Sequence, residues 1–519
     1  MAKQQHCCCL DQDETEEEEC CNPKNCASNC RAYGRVCPCA ARYVANHVER
    51  TIHERMASNG NNNNNNNDDD DNDDDNDDAT KSWWWTSSLD DFPRMAWSDL
   101  TLGSRLGEGG FCRVDQLQLP DDDDDDDNNT KNSTEEDNNG LLVIKRLRRE
   151  IMVDPEAFRD GVMDLVNEAL FLAAHDHPHI VRLHAVSAGS VGEAVLAASG
   201  TGDRSNPAGF FLVLDRLHET LEHRIQRWKK EFYYGKNEAA AATAVHESNN
   251  NNNKNGWYEY IGDVLSTNPI ASALWTPTWE NLKGLQDRLE RVALPVAQAL
   301  VYLHHHCVVW RDLKPANIGF DTVGNDVKLF DFGLVHKAVQ PQRLDGPAAG
   351  SLRFMAPELF PSTENNNDNN NNNDNDNDND NDTCSSSSSL HLLLAVDIYA
   401  FGLTLWQLCS FQQPFGGYTP RQHRQQVIKG GERPPMVAWW PKELQDLMQQ
   451  CWSTSALERP TAPQIVTVLQ NIVANLETRV AAGGQQQQDK GSLNTTTKEE
   501  EDGEASTTAN ASLSKDDLA

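Results

Sequence analysis

The sequence predicts an α+β fold, and four stretches carry that prediction. Two short apolar runs suit buried strands, namely "LLVIK", which ends at Lys145, and the segment Phe210–Leu214. From Phe158 onward, apolar residues recur with helical spacing. The stretch Leu390–Leu408 is long enough to span a membrane, but Asp397 near its middle would be costly in lipid, so a buried core helix is predicted.

Low-complexity segments divide the chain into regions. Runs of Asn, Asp, Ser, Gln and Glu offer little apolar surface to bury, so they predict solvated linkers and loops. We predict a largely disordered, Cys-rich and acidic region at 1–97, one folded domain at 98–475 and a disordered tail at 476–519. Inserts in the folded domain are predicted near 120–139, 231–280 and 361–389.

The net charge of −35 describes these segments more than the folded part, because they hold about half of the acidic residues. Seven consecutive aspartates, Asp121–Asp127, repel one another and favour an extended chain. Binding of basic partners or Ca²⁺ by such runs is an alternative to simple solvation. Nucleic acid is not expected as a partner, because a phosphate backbone is bound through a basic surface.

The first sixty residues combine a cysteine-rich leader with a helical pattern. Nine of the fourteen cysteines precede Ala40, and no secretory signal is visible, so reduced cysteines in a cytoplasmic protein are expected, with a nuclear location left open. Two alternatives remain: acylation of Cys7–Cys9 with membrane association, and a zinc site. The zinc candidates are Cys37, Cys39, His47 and His53. Four apolar residues recur every four positions and predict a short docking helix for a partner: Val44, Val48, Ile52 and Met56.

Two early motifs suggest phosphate chemistry. In "LGEGGFCRV", Gly107, Gly109 and Val114 fit a strand–turn–strand whose backbone N–H groups can approach phosphates, although glycines also occur in ordinary hairpins. Lys145 is the last residue of the predicted buried strand. Glu168 lies on the following helix, where a charge partner for Lys145 is expected. The ordinary interpretations remain open: Lys145 as a residue that simply ends the strand with its ammonium in water, and Glu168 as an exposed residue on the helix surface.

A second group of motifs follows in a fixed order. "VVWRDLKPANIGF" at Val308–Phe320 precedes "DFG" at Asp331–Gly333 and "APE" at Ala356–Glu358. With these motifs, the chain from about Ser98 to Val473 resembles a eukaryotic protein kinase of the serine/threonine type, with a large lobe similar to the tyrosine-kinase-like group. The resemblance implies a bilobal fold: a small antiparallel-sheet lobe with one main helix at 98–214 and a mainly helical lobe at 215–475.

The resemblance also implies roles for individual residues. Asp312 would accept or orient the substrate hydroxyl proton, with Lys314 near the transferred phosphoryl group and a Lys145–Glu168 pair on the ATP phosphates. Asn317 and Asp331 would hold Mg²⁺. Contacts to ATP are implied for Gly107, Glu108, Gly109, Gly110, Val114, Val143, Lys145, Leu214, Asp215 and Leu217. The substrate and activation segment would use Ser351 and Glu358, and the structural positions are Trp310, Phe332, Asp397 and Arg459.

Several residues depart from the family pattern. Trp310 replaces the usual histidine, and we expect it to pack with Phe332, Leu172 and Leu183 in an apolar column, affecting the active geometry more than the chemistry. Cys112 stands where the third glycine is usual. Val143 replaces an alanine and Gly319 replaces a leucine, so the adenine pocket is expected to gain bulk above the base and lose it below.

The function predicted from the resemblance is transfer of the ATP γ-phosphoryl group to serine or threonine hydroxyls of protein substrates. "DLKPAN" and Ser351 favour this specificity over tyrosine. The alternative is a pseudokinase that binds partners without efficient catalysis; a small-molecule kinase is disfavoured by the "APE" segment, Asp397 and Arg459. Between Leu334 and Gly350 there is no Ser, Thr or Tyr, which predicts switching without phosphorylation of that segment, with Asp345 as a candidate acidic partner for Arg311.

Overall fold

We analysed a computed structural model of the chain. It describes residues 36–60, 89, 92–118, 141–199, 208–234, 278–338, 350–360 and 385–482. Most of the predicted inserts and the tail beyond 482 lie outside these residues, as do Cys7–Cys9, Asp121–Asp127 and Asp345. The described part folds into a sheet-rich small lobe and a mainly helical large lobe, which confirms the predicted fold class.

The small lobe is built on a six-stranded sheet in the order β1-β5-β6-β4-β3-β2. All neighbours are antiparallel except β1 and β5, which run parallel. The strands are β1 Arg94–Met95, β2 Thr101–Glu108, β3 Cys112–Gln118, β4 Leu142–Leu147, β5 Leu183–Ser187 and β6 Phe211–Asp215. Since Arg94 pairs with Val186, the sheet begins before the predicted boundary at residue 98.

Helices cover one face of this sheet. The helix α1 spans Pro38–Gly60, a short α2 spans Arg149–Met152, α3 spans Pro155–Ala174 and α4 spans Val191–Ala197. The start of α3 is fixed by Asp154, whose carboxylate accepts hydrogen bonds from the amides of Glu156 and Ala157. Since α3 carries Glu168, the cap helps to set the position of that carboxylate.

The helix α1 packs against α3 and α4. Val44 and Val48, two of the residues in the four-residue repeat, are fully buried in the same apolar cluster as α3. The carboxylate of Glu49 accepts a hydrogen bond from the hydroxyl of Ser190 at 3.3 Å and lies so close to Gly192 that a Cβ there would clash with it. The predicted helix therefore exists and docks on its own domain, and the prediction of a largely disordered region at 1–97 is wrong for this segment.

The large lobe contains helices, short strands and several turns. Its helices are α5 Leu221–Tyr234, α6 Trp279–Arg288, α7 Leu294–His305, α8 Ser385–Ser410, α9 Pro420–Gln422, α10 Lys442–Cys451 and α11 at 462–482, with π-helical turns at Leu289–Ala293 and His423–Lys429. Its strands are β7 Leu217–Thr220, β8 Val308–Val309, β9 Ile318–Asp321, β10 Val327–Leu329 and β11 His336–Lys337. One sheet has the order β10-β9-β7, and β8 pairs with β11.

The long apolar helix α8 is the core of the large lobe. The window Leu390–Ser410 has the length and composition of a membrane span, but 83% of it is buried inside the protein, and Asp397 is fully buried. The prediction of a core helix is confirmed. At the other end, α11 buries Leu469, Ile472 and Leu476 with helical spacing, so the folded part continues past the predicted boundary at 475.

Replacing Val48 by alanine should show whether α1 belongs to the cooperative unit. Removing two methyl groups from this fully buried position should lower the free energy of unfolding by about 1 to 3 kcal/mol. Urea denaturation of the whole chain measures the effect. Asn46→Ala, on the exposed side of the same helix, is the matched control. Equal stability of the two variants would contradict the packing of α1 on the domain.

Candidate active site

Three charged side chains from separate elements meet at the cleft between the lobes. Lys145 comes from β4, Glu168 from α3, and Asp331 from the loop after β10. The ammonium of Lys145 lies 2.6 Å from the carboxylate of Glu168 and 2.8 Å from that of Asp331. Burial alone would lower the pKa of Lys145, but the two carboxylates raise it well above its ordinary value. In turn, Lys145 lowers the pKa of Asp331. The arrangement therefore keeps the buried ammonium of Lys145 charged inside the cleft.

The turn between β2 and β3 leaves its backbone open. The amide of Gly109 donates to the carbonyl of Cys112 at 2.8 Å and closes the turn. A Cβ on Gly107 or Gly110 would meet no heavy atom within 4 Å, so a ligand can approach these positions closely. The carboxylate of Glu108 is held by Arg105 and Arg148. The side chain of Glu108 is therefore engaged by these arginines, so its predicted contact to ATP would have to come from its backbone.

The predicted adenine pocket is lined from both lobes. Val143 on β4 and Leu214 on β6 are paired neighbours, and both are buried. Below the pocket, Leu217 fills the space that Gly319 leaves, because a Cβ on Gly319 would lie 2.5 Å from Cδ1 of Leu217. The structure differs here from the expected loss of bulk, since a side chain from β7 replaces one from β9. Val114, on β3, pairs with Lys145.

Asp215 uses its side chain outside this pocket. Its carboxylate contacts the Nε2 atom of His184 at 2.7 Å and accepts a hydrogen bond from the amide of Arg182 at 2.9 Å. Burial would raise the pKa of Asp215, but these hydrogen bonds lower it. A contact to ATP from this residue would therefore come from its backbone.

The loop after β8 holds the predicted catalytic carboxylate. Asp312 accepts hydrogen bonds from Nζ of Lys314 at 2.7 Å, from Nδ2 of Asn317 at 2.9 Å and from the amide of Ser351 at 3.0 Å. Lys314 also donates to the hydroxyl of Ser351 at 2.7 Å. The residues predicted for catalysis, for metal binding and for the activation segment are thereby joined in one network.

The donor set suits a divalent cation such as Mg²⁺. The side chain of Asp331 is 46% exposed, so its carboxylate faces solvent as well as Lys145. Asn317 donates through Nδ2 to Asp312, and its Oδ1 atom takes no hydrogen bond from any residue the structure describes. Carboxylate and amide oxygens are the hard ligands that Mg²⁺ prefers.

Trp310 takes a polar role that the sequence did not reveal. As predicted, it is fully buried and stacks on Phe332, with ring centroids 5.3 Å apart. Its indole Nε1 also donates a hydrogen bond to the backbone carbonyl of Asp331 at 3.2 Å. The backbone that accepts this hydrogen bond is strained, since Asp331 has a φ of +69°. Arg311, next to Trp310, has a φ of +71°. The tryptophan therefore helps to fix the conformation of the residue that faces Lys145.

Two further sets of hydrogen bonds hold the loop after β8 and the end of the activation segment. The carboxylate of Asp397 accepts hydrogen bonds from the amides of Trp310 and Arg311, both at 2.8 Å. The guanidinium of Arg459 donates to both carboxylate oxygens of Glu358, at 2.6 and 2.8 Å. Since bidentate pairs of this kind fix orientation as well as distance, the end of the activation segment is tied to the large lobe.

Sequence reasoning missed two residues at this site. Phe171 on α3 stacks on Phe332 at 4.5 Å and adds an aromatic ring to the predicted column, in which Leu172 and Leu183 are buried as expected. Asp164, one turn before Glu168, packs against Gly333, and burial together with the nearby charge of Asp331 raises its pKa to about 7. The four-residue spacing from Glu168 was the signal that could have found Asp164.

Comparison with known proteins agrees with this geometry. Residues 278–375 match the family model described as "Protein kinase domain", and residues 385–469 match the one described as "Protein tyrosine and serine/threonine kinase". The small lobe lies outside both matches. It joins the same domain through Lys145, which contacts Glu168 of the small lobe and Asp331 of the large lobe.

Relatives from three distant sources each match about a third of the chain. A putative serine/threonine-protein kinase/receptor of Acanthamoeba polyphaga mimivirus is 30% identical over 36% of this chain. Mitogen-activated protein kinase kinase kinase 7 of Drosophila melanogaster is 31% identical over 34%, and serine/threonine/tyrosine-protein kinase HT1 of Arabidopsis thaliana is 32% identical over 35%. This domain belongs to the eukaryotic protein kinase superfamily.

This chain matches only part of the length of each of these relatives. The matched segments cover 10%, 22% and 39% of the lengths of the mimivirus, Drosophila and Arabidopsis proteins. The similarity therefore concerns the domain and leaves the rest of each protein aside.

Trp310→Phe tests the hydrogen bond from the indole in the kinase domain. The variant keeps an aromatic ring but leaves the buried carbonyl of Asp331 without its donor, so the free energy of unfolding should fall by about 1 to 3 kcal/mol. Trp310→His is smaller but keeps a ring N–H, and we expect it to lose less. Urea unfolding of both variants measures the difference. The control is Trp97→Phe in the small lobe, and a phenylalanine variant as stable as wild type would contradict the role.

Asp164→Asn tests the raised pKa in the kinase domain. The folded state holds this proton more tightly than the unfolded chain, so ionisation between about pH 4 and pH 7 lowers the stability of wild type as the pH rises. The amide avoids this loss, and at pH 8 the variant should be more stable by on the order of 2 kcal/mol. Thermal melts from pH 5 to pH 8, without Mg²⁺ or nucleotide, measure the gain. Asp160→Asn, with a 53% exposed side chain, is the control, and parallel curves for wild type and Asp164→Asn would contradict the assignment.

Proposed function

We propose that the kinase domain transfers the γ-phosphoryl group of ATP, in the presence of Mg²⁺, to hydroxyl groups of protein substrates. One observation supports this most directly: the contacts of Lys145 with Glu168 and Asp331 occur together with the linked network of Asp312, Lys314 and Ser351. The first set is suited to holding nucleotide phosphates, and the second to holding an acceptor hydroxyl.

Within this proposal, each side chain has a defined task. Lys145, kept charged by its two carboxylate partners, binds phosphate oxygens. Asp312 accepts or orients the proton of the acceptor hydroxyl, and its three hydrogen-bond donors fix its direction. Lys314 offsets negative charge that develops on the transferred group. Bound Mg²⁺ would supply charge neutralisation at the phosphates, with Asn317 and Asp331 as its ligands.

We propose serine and threonine as the acceptors. The hydroxyl of Ser351 accepts a hydrogen bond from Lys314 and so links the catalytic loop to the activation segment. A hydroxyl at this position and the "DLKPAN" form of the catalytic loop are both features of the resemblance to serine/threonine kinases. The name of the Arabidopsis relative includes tyrosine as well. An acceptor series of otherwise identical Ser, Thr and Tyr peptides decides between the two specificities.

The pseudokinase alternative predicts broken contacts at the phosphate site. The described residues instead retain each polar group that the chemistry needs, and Trp310 supplies a ring N–H where the family has a histidine. Cys112 also fits the turn, since its carbonyl accepts the hydrogen bond that closes it. These contacts favour an active enzyme over a scaffold.

Asp312→Asn and Asp331→Ala test catalysis. The first variant should lower kcat by about 10² to 10⁴ because the amide cannot accept the proton, while nucleotide binding persists. The second should abolish transfer because it removes a metal ligand and leaves Lys145 with one carboxylate fewer. Transfer of labelled phosphate to a basic protein and titration with a fluorescent ATP analogue measure the two effects.

Asp446→Asn, on the exposed surface of α10, is the control for both variants. Transfer by Asp331→Ala at the wild-type rate would contradict the proposal. Absence of transfer by the wild-type chain, together with retained nucleotide binding, would instead support the scaffold.

A further inference from the structure

The helix α1 packs on two other helices of the small lobe, α3 and α4. Four of its residues are at most 2% exposed, and three of them lie with α3 in one apolar cluster through Val44, Ala45 and Val48. The fourth, Ala41, belongs to the same cluster. Because two of the four are alanines, the helix backbones can approach closely. Both α1 and α4 precede residue 278, where the first family match begins, so the matches assign them no role.

The helix α4 gives α1 a fixed base. It is inserted between β5 and β6, which are paired strands of the sheet. The hydroxyl of Ser190 caps α4 by accepting a hydrogen bond from the amide of Glu193, and it donates to the carboxylate of Glu49 on α1 at 3.3 Å. The absence of a side chain at Gly192 leaves room for this carboxylate. The helix α1 is therefore tied to the sheet through α4.

The helix α3 carries two side chains that reach the cleft. Glu168 accepts hydrogen bonds from Nζ of Lys145 at 2.6 Å and from the amide of Phe332 at 3.3 Å. Phe171 stacks on the ring of Phe332 with centroids 4.5 Å apart. A rotation or tilt of α3 would therefore break the contact to the phosphate-binding lysine and the contacts to the residue after Asp331 together.

The polar contacts in the cleft are a weak tether for α3. Glu168 is 1% exposed, and its burial raises its pKa, an effect that the contact with Lys145 offsets only in part. A buried ion pair adds little net stability, because the loss of hydration cancels much of the attraction. The position of α3 therefore depends on apolar packing, to which α1 contributes its whole buried face.

We propose that α1 is a positioning element for catalysis: its packing on α4 and α3 holds Glu168 against Lys145, and phosphoryl transfer requires α1 in this place. Val44 and Ala45 act through α3 and touch neither nucleotide nor substrate. The inference rests on the proposed function, because it names residues that position the side chains of that same site.

Val44→Asp tests the role of α1 in the whole chain. An unpaired carboxylate is too costly to bury at this position, so α1 should leave its place. We expect kcat to fall by about 10²-fold, as displacements of about 1 Å near reacting groups do, with KM for ATP changed by less than about threefold. Val44→Ile stays apolar and should keep at least about half of the wild-type kcat. Transfer of labelled phosphate to a basic protein measures these values.

Two controls match this variant. Asn46→Asp adds the same charge on the exposed side of α1 and should leave kcat as it is. Leu476→Ala, fully buried in α11, lowers stability away from α1 and should also keep kcat when the assay temperature lies below the melting range. Wild-type kcat in Val44→Asp, or an equal loss in Leu476→Ala, overturns the inference.

Thermal melts identify a variant that fails to fold. If Val44→Asp does so, Ala45→Leu carries the test, because the larger side chain overpacks the same contact. This milder change should lower kcat by about tenfold. Wild-type kcat in a folded Ala45→Leu variant overturns the inference.

A double-mutant cycle with Glu168→Gln separates positioning from a general structural effect. In the wild-type background this change should lower kcat by about tenfold or more, because it removes the charge that faces Lys145. In the Val44→Asp background it should lower kcat by less than about threefold, because that contact is already lost. If the two effects multiply instead, α1 acts by another route and the inference is wrong.

Failure of the proposed function gives a different result, since the wild-type chain then transfers no phosphate. Hydrogen exchange of the whole chain still tests the packing. Val44→Asp should speed amide exchange in α3 by about tenfold or more and leave exchange in α8 as it is. Unchanged exchange in α3 overturns the inference without reference to transfer.

Discussion

The contact of one lysine with two carboxylates is the constraint on which the rest of this structure depends. Lys145 belongs to the sheet, Glu168 to a helix and Asp331 to the large lobe, so a single buried ammonium fixes the relative positions of three elements. Its burial would be costly if either carboxylate were absent, because an unpaired buried charge loses its hydration without compensation. The cap at Asp154, the packing of α1 and the stacked rings of Phe171 and Phe332 all support elements that carry these groups.

Trp310 shows that a site can keep its geometry while exchanging a residue type that looks indispensable. Histidine, the residue usual at this position in the family, has a flat ring and can donate a hydrogen bond, and the indole of Trp310 supplies both. An indole N–H does not titrate, so this contact to Asp331 is the same in acid and in neutral solution. The larger ring is accommodated by a core that is already aromatic, with Phe332, Phe171 and His175 stacked in succession.

Much of the fold and the site could be predicted from the sequence, because motif spacing and apolar periodicity are properties of the chain itself. The strands that contain Lys145 and Leu214 and the core helix α8 follow from such patterns, whereas the meeting of Lys145, Glu168 and Asp331 was implied by the resemblance to protein kinases. What escaped prediction depends on contacts between distant segments. Leu217 fills the space above Gly319 from another strand, and nothing near residue 319 in the sequence announces it. Likewise, the spacing of Val44 and Val48 predicts a helix but cannot say that its partner is the same domain.

The docking of α1 has a practical consequence for anyone preparing the catalytic part of this protein. A recombinant fragment that started at residue 98 would remove the cover from α3 and α4, together with the strand that pairs with β5. The exposed sheet edge and the uncovered apolar helix faces would both invite self-association. An expression boundary before residue 36 preserves a soluble surface that the motifs alone would lead one to cut away.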